Sequence, residues 1–368
     1  MLQERPRRLD VLAALLQLVS FGYGGLQHLR AALYRRRILA SHKLPCKVIS
    51  IGNITVGGTG KTPMTIDIAQ RLKRLGYKVA VISRGYKGRL EKKGGIVSDG
   101  QRILEGPVAA GDEPYMMAAQ LRNIPVVVGA HRLAAGRRAL HEFQPDVVVL
   151  DDAFQHLQLA RDVDLVLLDH ARPFGNGYLL PRGILREPIG ALARGDAFIL
   201  TRAPRDHRGP ETAWRRRLQA LAPPRPVFAA SHIPYFCQIT AGQAVHLDAL
   251  PEFSGAEACG RLKGRKVLAF SGIARNDDFQ ETVDELDCSV TRFLRFPDHH
   301  RYSAGDWASI LDCARSTGAD LLITTAKDHA RAAPGVRVPL DLMVIGVRIS
   351  FGAEEQAVET FIQNRLAV

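Results

Sequence analysis

The chain has 368 residues, is 46% hydrophobic and 24% charged, and carries a formal net charge of +13, a balance that excludes a disordered chain and, at this length, calls for two domains. Cys46, Cys237, Cys259, Cys288 and Cys313 are odd in number and scattered without C-x-x-C spacing, which argues against metal or redox work and fits reduced thiols in the cytosol. The positive excess asks for an anionic partner, and composition leaves nucleic acid, anionic lipid and phosphorylated metabolites equally open.

The first predicted element is apolar. From Val11 to Leu26 the only clearly polar side chains are Gln17 and Ser20, although Gly22, Gly24 and Gly25 weaken its far end as a helix. Arg5, Arg7, Arg8, Arg30, Arg35, Arg36 and Arg37 bracket it. A membrane span wants about 20 apolar residues, whereas a shorter basic segment lies in the headgroup region. There each flanking arginine contributes about 1 kcal/mol against anionic lipid. No small-residue cleavage site follows, so a signal peptide is disfavoured. A helix packed on the protein's own core is the competing explanation; the segment is read as an interfacial anchor on a cytoplasmic membrane face.

Next, Ser50 to Thr62 reads SIGNITVGGTGKT. An apolar run, Val48 to Ile51, enters a glycine-rich turn and leaves through Lys61, Thr62 and Pro63 into a helix-period segment. Strand, glycine loop and helix in that order form a phosphate-binding loop, here Thr55, Val56, Gly57, Gly58, Thr59, Gly60, Lys61 and Thr62. Glycines let backbone N–H groups crowd around phosphate oxygens, which a Cβ obstructs. Lys61 brings a point charge to the β/γ-phosphates and Thr62 a hydroxyl to Mg²⁺. Pro63 suits the first helical turn. Thr55 stands where the general pattern has its first glycine. ATP or GTP is the expected ligand.

Helical spacing of Ile66, Ile68, Ala69, Leu72 and Leu75 closes at Gly76, and a strand is predicted over residues 78–83. Its exit, Ser83-Arg84-Gly85-Tyr86-Lys87-Gly88, is a basic loop at the carboxyl end of a strand, where open α/β sheets bind ligands. Arg84 is therefore a phosphate candidate, with a solvated surface arginine the equal alternative. Residues 90–107 read as a turn-rich excursion. Gly111-Asp112-Glu113-Pro114 then begins a helix, with Asp112 as a sufficient N-cap; Asp112 and Glu113 are also candidates for a metal or a substrate hydroxyl.

Short apolar runs at 125–128 and 146–150, separated by a helical stretch at 131–141, are of the type buried in parallel sheets. The second ends in Asp151-Asp152-Ala153-Phe154-Gln155-His156. An acid at such a strand tip is what a phosphate-loop enzyme uses for Mg²⁺, and Asp151 fits. Adjacent carboxylates face opposite ways, which leaves Asp152 to accept a proton from a substrate hydroxyl. Further strands are predicted at 163–168 and 197–200. Between them the long loop 173–188 carries Gly175, Gly177, Gly183, Arg182 and Arg186 beside apolar and aromatic residues, a mixture suited to a phosphorylated amphiphile.

A basic helix is predicted at 214–221, with Arg215-Arg216-Arg217 facing solvent or lipid, and a domain change between 227 and 262. A second α/β pattern starts at Lys266: a strand at 267–270, a helix at 278–286 and a strand at 290–296, which runs into Pro297-Asp298-His299-His300-Arg301-Tyr302. Ser303 caps the next helix, and a strand at 321–325 ends in Ala326-Lys327-Asp328, a weakly specified contact for a nucleobase. A histidine beside a carboxylate orients or tunes a catalytic base, while a metal site lacks an obvious third ligand.

The assembled motifs resemble the tetraacyldisaccharide 4'-kinase family: the apolar N-terminus, SIGNITVGGTGKTP, SRGYKG, GDEP, DDAFQH, PRGILREP, FSGI, FPDHHRYS and TTAKD, in that order along nearly the whole chain. The resemblance implies a P-loop NTPase-like α/β fold, mostly parallel with helices on both faces, a second smaller α/β domain, and an N-terminal membrane-associated helix. The implied segments are 1–40, 41–226, 227–262 (linker) and 263–368, the last closing over the active site. It also implies transfer of the ATP γ-phosphate, with Mg²⁺, to the 4'-hydroxyl of tetraacyldisaccharide 1-phosphate at the inner membrane. By resemblance, Lys61 and Thr62 bind phosphate and metal, Asp151 assists the metal, Asp152 is the base and His299, directly after Asp298, its partner, which domain closure is expected to bring to Asp152 only when both substrates are bound. Arg84, Asp112, Glu113, Arg182 and Arg186 remain substrate candidates. No nucleic-acid recognition motif is found, and protein partners stay open. The rival readings are a soluble P-loop kinase or ligase and a nucleotide-switched binding protein.

Overall fold

The computed structural model describes residues 7–204, 213–221, 224–243, 250–332 and 337–367, with backbone alone for 7–12, 213 and 214. Arg5, Pro223 and residues 244–249 of the expected linker lie outside the described residues. Twelve strands occur among the described residues: β1 (Lys47–Gly52), β2 (Val79–Ser83), β3 (Gly95–Ser98), β4 (Val126–Val128), β5 (Val147–Asp151), β6 (Val163–Asp169), β7 (Ala197–Thr201), β8 (Val227–Ile239), β9 (Lys266–Ser271), β10 (Ser289–Arg295), β11 (Leu321–Thr325) and β12 (Asp341–Ser350). The chain divides into two compact units, each discontinuous in sequence: Met1–Lys61, Asp146–His232 and Ser350–Val368 in one, Thr62–Pro145 and Ile233–Ile349 in the other.

In the first unit β1 pairs in parallel with β5 on one side and β6 on the other, β6 with β7, and β7 with the start of β8. Its apolar runs are buried on both faces, as a parallel sheet requires: Val48, Ile49, Ile51, Val147, Val148 and Val149 have no exposed surface. The glycine loop follows β1 directly, at the carboxyl end of the strand, and Asp151 lies beside Ile51 in the β1–β5 register. Phe154, Phe174, Leu185, Phe198 and Leu218 form a core beneath the loop segment 173–188.

The N-terminal helix, Arg7–Arg35, is continuous for 29 residues despite its three glycines. Gly24 explains one of them: a Cβ there would meet Leu179 Cδ1 at 2.8 Å, so glycine lets the 173–188 loop approach the helix. Three of its polar side chains point inward. Ser20 Oγ donates to the Leu179 carbonyl at 3.0 Å, Tyr23 to that of Arg186 at 2.8 Å, and Arg30 to that of Gln155 at 2.8 Å. Leu15, Leu18, Val19, Phe21, Leu26 and Leu29 are exposed instead. Among the described residues no helix is long and apolar enough to cross a membrane. In the same unit Arg215, expected to be solvated, pairs with Glu354 at 2.6 Å.

The second unit holds β2 parallel to β4 with β3 antiparallel, and separately the parallel series β10-β9-β11-β12. The 90–107 excursion thus contains a short helix, Leu90–Lys93, and β3. Around the C-terminal series lie Phe270, Tyr302, Trp307, Ile310 and Val344 on one side and Ala269, Phe279, Val283 and Met343 on another. Ser303 caps the helix Ala304–Thr317 as expected, through a reciprocal box with Asp306.

Asp112 differs from expectation. The helix Asp112–Gln120 is capped by Gly111, whose φ of 90° suits glycine, and no side chain caps it. With Asp112 already inside the first turn, its carboxylate is released from backbone capping.

Candidate active site

The phosphate loop is braced from below. Asn53 Nδ2 donates to Thr59 Oγ1 at 2.8 Å, and the Asn53 carbonyl accepts from Gln155 Nε2 at 2.8 Å. Val56 N–H donates to the Ile184 carbonyl at 2.7 Å, and Thr55 bridges to Leu185. Thr55 therefore replaces the usual glycine at a buried position that pairs like a strand; the left-handed backbone falls on Gly57 (φ 112°) and Gly60 (φ 79°). At Gly60 a Cβ would also lie 2.6 Å from His232 Nε2.

Lys61 emerges from this loop with Nζ 3.8 Å from Asp152 Oδ1. Arg186 Nη1 donates to both Asp152 oxygens, at 3.0 and 3.1 Å. Asp152 thus gathers two cations, one from the loop and one from the 173–188 segment. Its backbone is left-handed at φ 46°, a conformation that costs about 1–3 kcal/mol in a non-glycine residue and clusters at functional positions. Its neighbour Asp151 is buried at the end of β5, and Thr62 is buried at the start of the helix Lys61–Arg74. Arg182 stacks on Tyr178, with its guanidinium carbon 3.8 Å from the ring centroid, and contacts Gln17 of the N-terminal helix.

A second constellation is built wholly within the other unit. His299 Nδ1 lies 3.3 Å from Asp112 Oδ2, so within its own unit the hydrogen bond of this histidine goes to Asp112. Chain adjacency gave His299 to Asp298, whose carboxylate is 3.9 Å from Nε2. The fold supplies the nearer carboxylate from 187 residues away. His299 is left-handed too, at φ 63°, and its ring meets Tyr86 edge-on with centroids 6.0 Å apart. His300 instead stacks on Phe296 at 4.7 Å and faces Asp306 at 3.2 Å.

Arg331, which the sequence reading did not single out, completes this group: Nε donates to Asp112 Oδ2 at 2.9 Å. One turn earlier Lys327 pairs with Glu113 at 3.3 Å. The i, i+4 spacing of Lys327 and Arg331 in TTAKDHAR was the available signal, since it places both cations on one helix face. Burial pushes the Asp112 carboxyl upward, but the His299 hydrogen bond and the Arg331 charge outweigh it and hold Asp112 below the usual carboxylate range. Asp328, with Lys327 only a weakly specified nucleobase contact in the sequence, is fully buried among Thr325, Tyr302, Arg331 and the Gly272 N–H. Arg84 is exposed and paired with Glu91 at 2.7 Å.

The family model described as Tetraacyldisaccharide-1-P 4'-kinase, LpxK, matches residues 12–367. The chain belongs to this family. The tetraacyldisaccharide 4'-kinase of Desulfatibacillum aliphaticivorans is 41% identical over 96% of this chain and 93% of its own length. That of Syntrophus aciditrophicus is 39% identical over 92% and 89%. A crystal structure of the "apo" form of LpxK from Aquifex aeolicus in complex with ATP is 29% identical and superposes with a TM-score of 0.74, covering 96% of this chain and 99% of that one. The resemblance drawn from the ordered motifs, and the expected α/β class, are borne out. Among the described residues the tetraacyldisaccharide-1-P 4'-kinase motifs fall into two groups: SIGNITVGGTGKT, DDAFQH and PRGILREP around Lys61, and SRGYKG, GDEP, FSGI, FPDHHRYS and TTAKD around Asp112.

Proposed function

We propose that this protein is an ATP-dependent kinase that phosphorylates the 4'-hydroxyl of tetraacyldisaccharide 1-phosphate to give lipid IVA. The reading is supported above all by a braced phosphate loop carrying Lys61 and a separate carboxylate–histidine pair, Asp112–His299, in a chain of this family. Phosphoryl transfer needs charge neutralisation and positioning more than covalent chemistry. Lys61 and Arg186 supply two cations that Asp152 orders at one point. Thr62 would offer a hydroxyl and Asp151 a carboxylate to hold Mg²⁺, whose chemistry there would be charge neutralisation of the transferred phosphoryl group.

For the proton, Asp112 is assigned as the acceptor. It is ionised, it is released from capping, and His299 stabilises it through Nδ1. The sequence placed this role on Asp152, and the two assignments separate experimentally. Transfer of γ-³²P from ATP to tetraacyldisaccharide 1-phosphate in detergent micelles is expected to collapse in Asp112→Asn with KM for ATP unchanged. Asp152→Asn is expected to act mainly through KM for ATP. The converse result returns the base to Asp152, and no labelling by the intact, ATP-binding protein removes the kinase reading.

The inverted N-terminal helix supports a site of action on the cytoplasmic face of the inner membrane. Its apolar residues form an outward stripe, Leu18 and Phe21 each 67% exposed, while Ser20, Tyr23 and Arg30 bond to the protein. Flotation with anionic vesicles is expected to carry the wild-type chain and to lose Leu18→Ser/Phe21→Ser, with kcat in detergent retained. Equal flotation of both removes the anchor reading.

A further inference from the structure

The Arg331 side chain has 0% exposure. A guanidinium so buried must have its charge and its N–H groups met, or it destabilises the fold. Asp328 would suffice for that. It also accepts from Tyr302 at 3.1 Å and from Gly272 N–H at 3.0 Å, and it anchors the far side of the fork at 3.2 Å. Yet the fork continues outward. Nη1 donates to the Gly272 carbonyl at 2.5 Å, the same carbonyl that accepts the His299 backbone N–H at 3.2 Å. Nε donates to Asp112 Oδ2, and Nη2 lies 3.4 Å from His299 Nδ1.

One planar side chain therefore touches Asp112, the backbone that seats His299, and the His299 ring. The rigid spacing of Nε and Nη1 converts the fixed position of Asp328 into a fixed position for Asp112, which a flexible ammonium does not do. We propose that Arg331 is a positioning residue for phosphoryl transfer: its buried fork locks the Asp112 carboxylate, ionised, against His299. This rests on the reading of Asp112 as the base. The other charged or titratable groups facing the pair are Asp298, 3.8 Å from Arg331 Nη2, the Lys327–Glu113 pair on the two packed helices, and Tyr86 on the 83–88 turn.

The test uses full-length Arg331→Lys, Arg331→Met and Asp112→Asn, assayed with ATP and tetraacyldisaccharide 1-phosphate in micelles across pH, with melting curves. Arg331→Lys keeps the buried charge but not the fork. It is expected to stay folded with a lowered melting temperature and to lose about 10- to 100-fold in kcat, the scale of a misplaced catalytic group, with both KM values held within about twofold and the acidic limb of the pH profile unmoved. Arg331→Met removes the cation that favours the ionised carboxylate, so its acidic limb moves to higher pH. A folded Arg331→Lys enzyme with wild-type kcat overturns the proposal, whether or not Arg331→Met folds, and so does a loss confined to KM. If Asp112→Asn stays active, the base reading itself has failed. If Asp112→Asn is inactive while Arg331→Lys matches wild type, only the role of Arg331 has.

Discussion

Asp152 and Asp112 are both carboxylates touched by an arginine at about the same distance, 3.0 and 2.9 Å, and their surroundings make them different acids. Asp152 is 32% exposed and faces Lys61 and Arg186, cations with no lone pair to share a proton. Asp112 is 16% exposed and faces a wholly buried guanidinium and an imidazole. A carboxylate between two phosphate-seeking cations is placed to order charge; one between a fixed cation and a histidine is placed for the proton-accepting role proposed for Asp112.

The largest effect expected from that difference is in kcat. General-base catalysis is worth about 10²–10⁴-fold, so Asp112→Asn should fall by that amount while Asp152→Asn keeps the greater part of its turnover. Single-turnover transfer at saturating ATP checks it, and equal losses would dissolve the distinction. Lys61→Met is next. Removing one preorganised charge from a developing phosphoryl charge costs about 10²–10³-fold, and the loss should be independent of pH, unlike that of Asp112→Asn.

His299→Asn sharpens the comparison further. Asparagine tolerates the left-handed backbone that His299 adopts at φ 63°, so this substitution removes the imidazole without adding strain. A fall in kcat of roughly 10-fold is expected, since Asp112, the proposed base, stays in place beside Arg331. A melting temperature near wild type would show that the loss is chemical.

The phosphate loop was legible because its chemistry is contiguous: Gly57 to Thr62 must lie together, and the apolar run before them can only be a buried strand. The strands β1, β5, β6, β7 and β11 were legible for the same reason. The Asp112–His299–Arg331 group was not, because its members are far apart in the chain and both Asp112 and His299 had a local explanation. Asp112 read as a helix cap and His299 as the neighbour of Asp298, while Arg331 was not singled out. Only the backbone position of Gly111, which takes the cap, frees Asp112 for its distant partners. The strand β8 was missed because Pro234, Ser231 and His232 interrupt its apolar residues. In the N-terminal helix the sequence showed two polar residues in an apolar stretch, and their inward direction became visible only with their acceptors at Leu179 and their contact with Arg182.

The smallest expected effect separates the two acids by stability. Arg186 and Asp152 are both partly solvated, and such a pair contributes about 0–1 kcal/mol, so Asp152→Asn should hardly alter unfolding at pH 7. Asp112 meets an arginine without exposed surface, and loss of that charge-assisted bond should cost about 1–3 kcal/mol. The sign with pH follows from its lowered folded value. A carboxylate depressed by folding stabilises at every pH above its unfolded value of about 3.9, and loses that contribution as pH falls through the folded one. Asp328 works oppositely: burial raises it, so its contribution is present below the unfolded value and declines as pH rises through the folded one. Denaturant unfolding of wild type and Asp112→Asn should therefore differ at pH 7 and converge as pH falls through the lowered folded value, because protonation of the wild-type carboxyl reproduces the neutral variant. A gap that persists unchanged at acid pH would mean that the shape of the Asp112 contact, and not its charge, holds the group together.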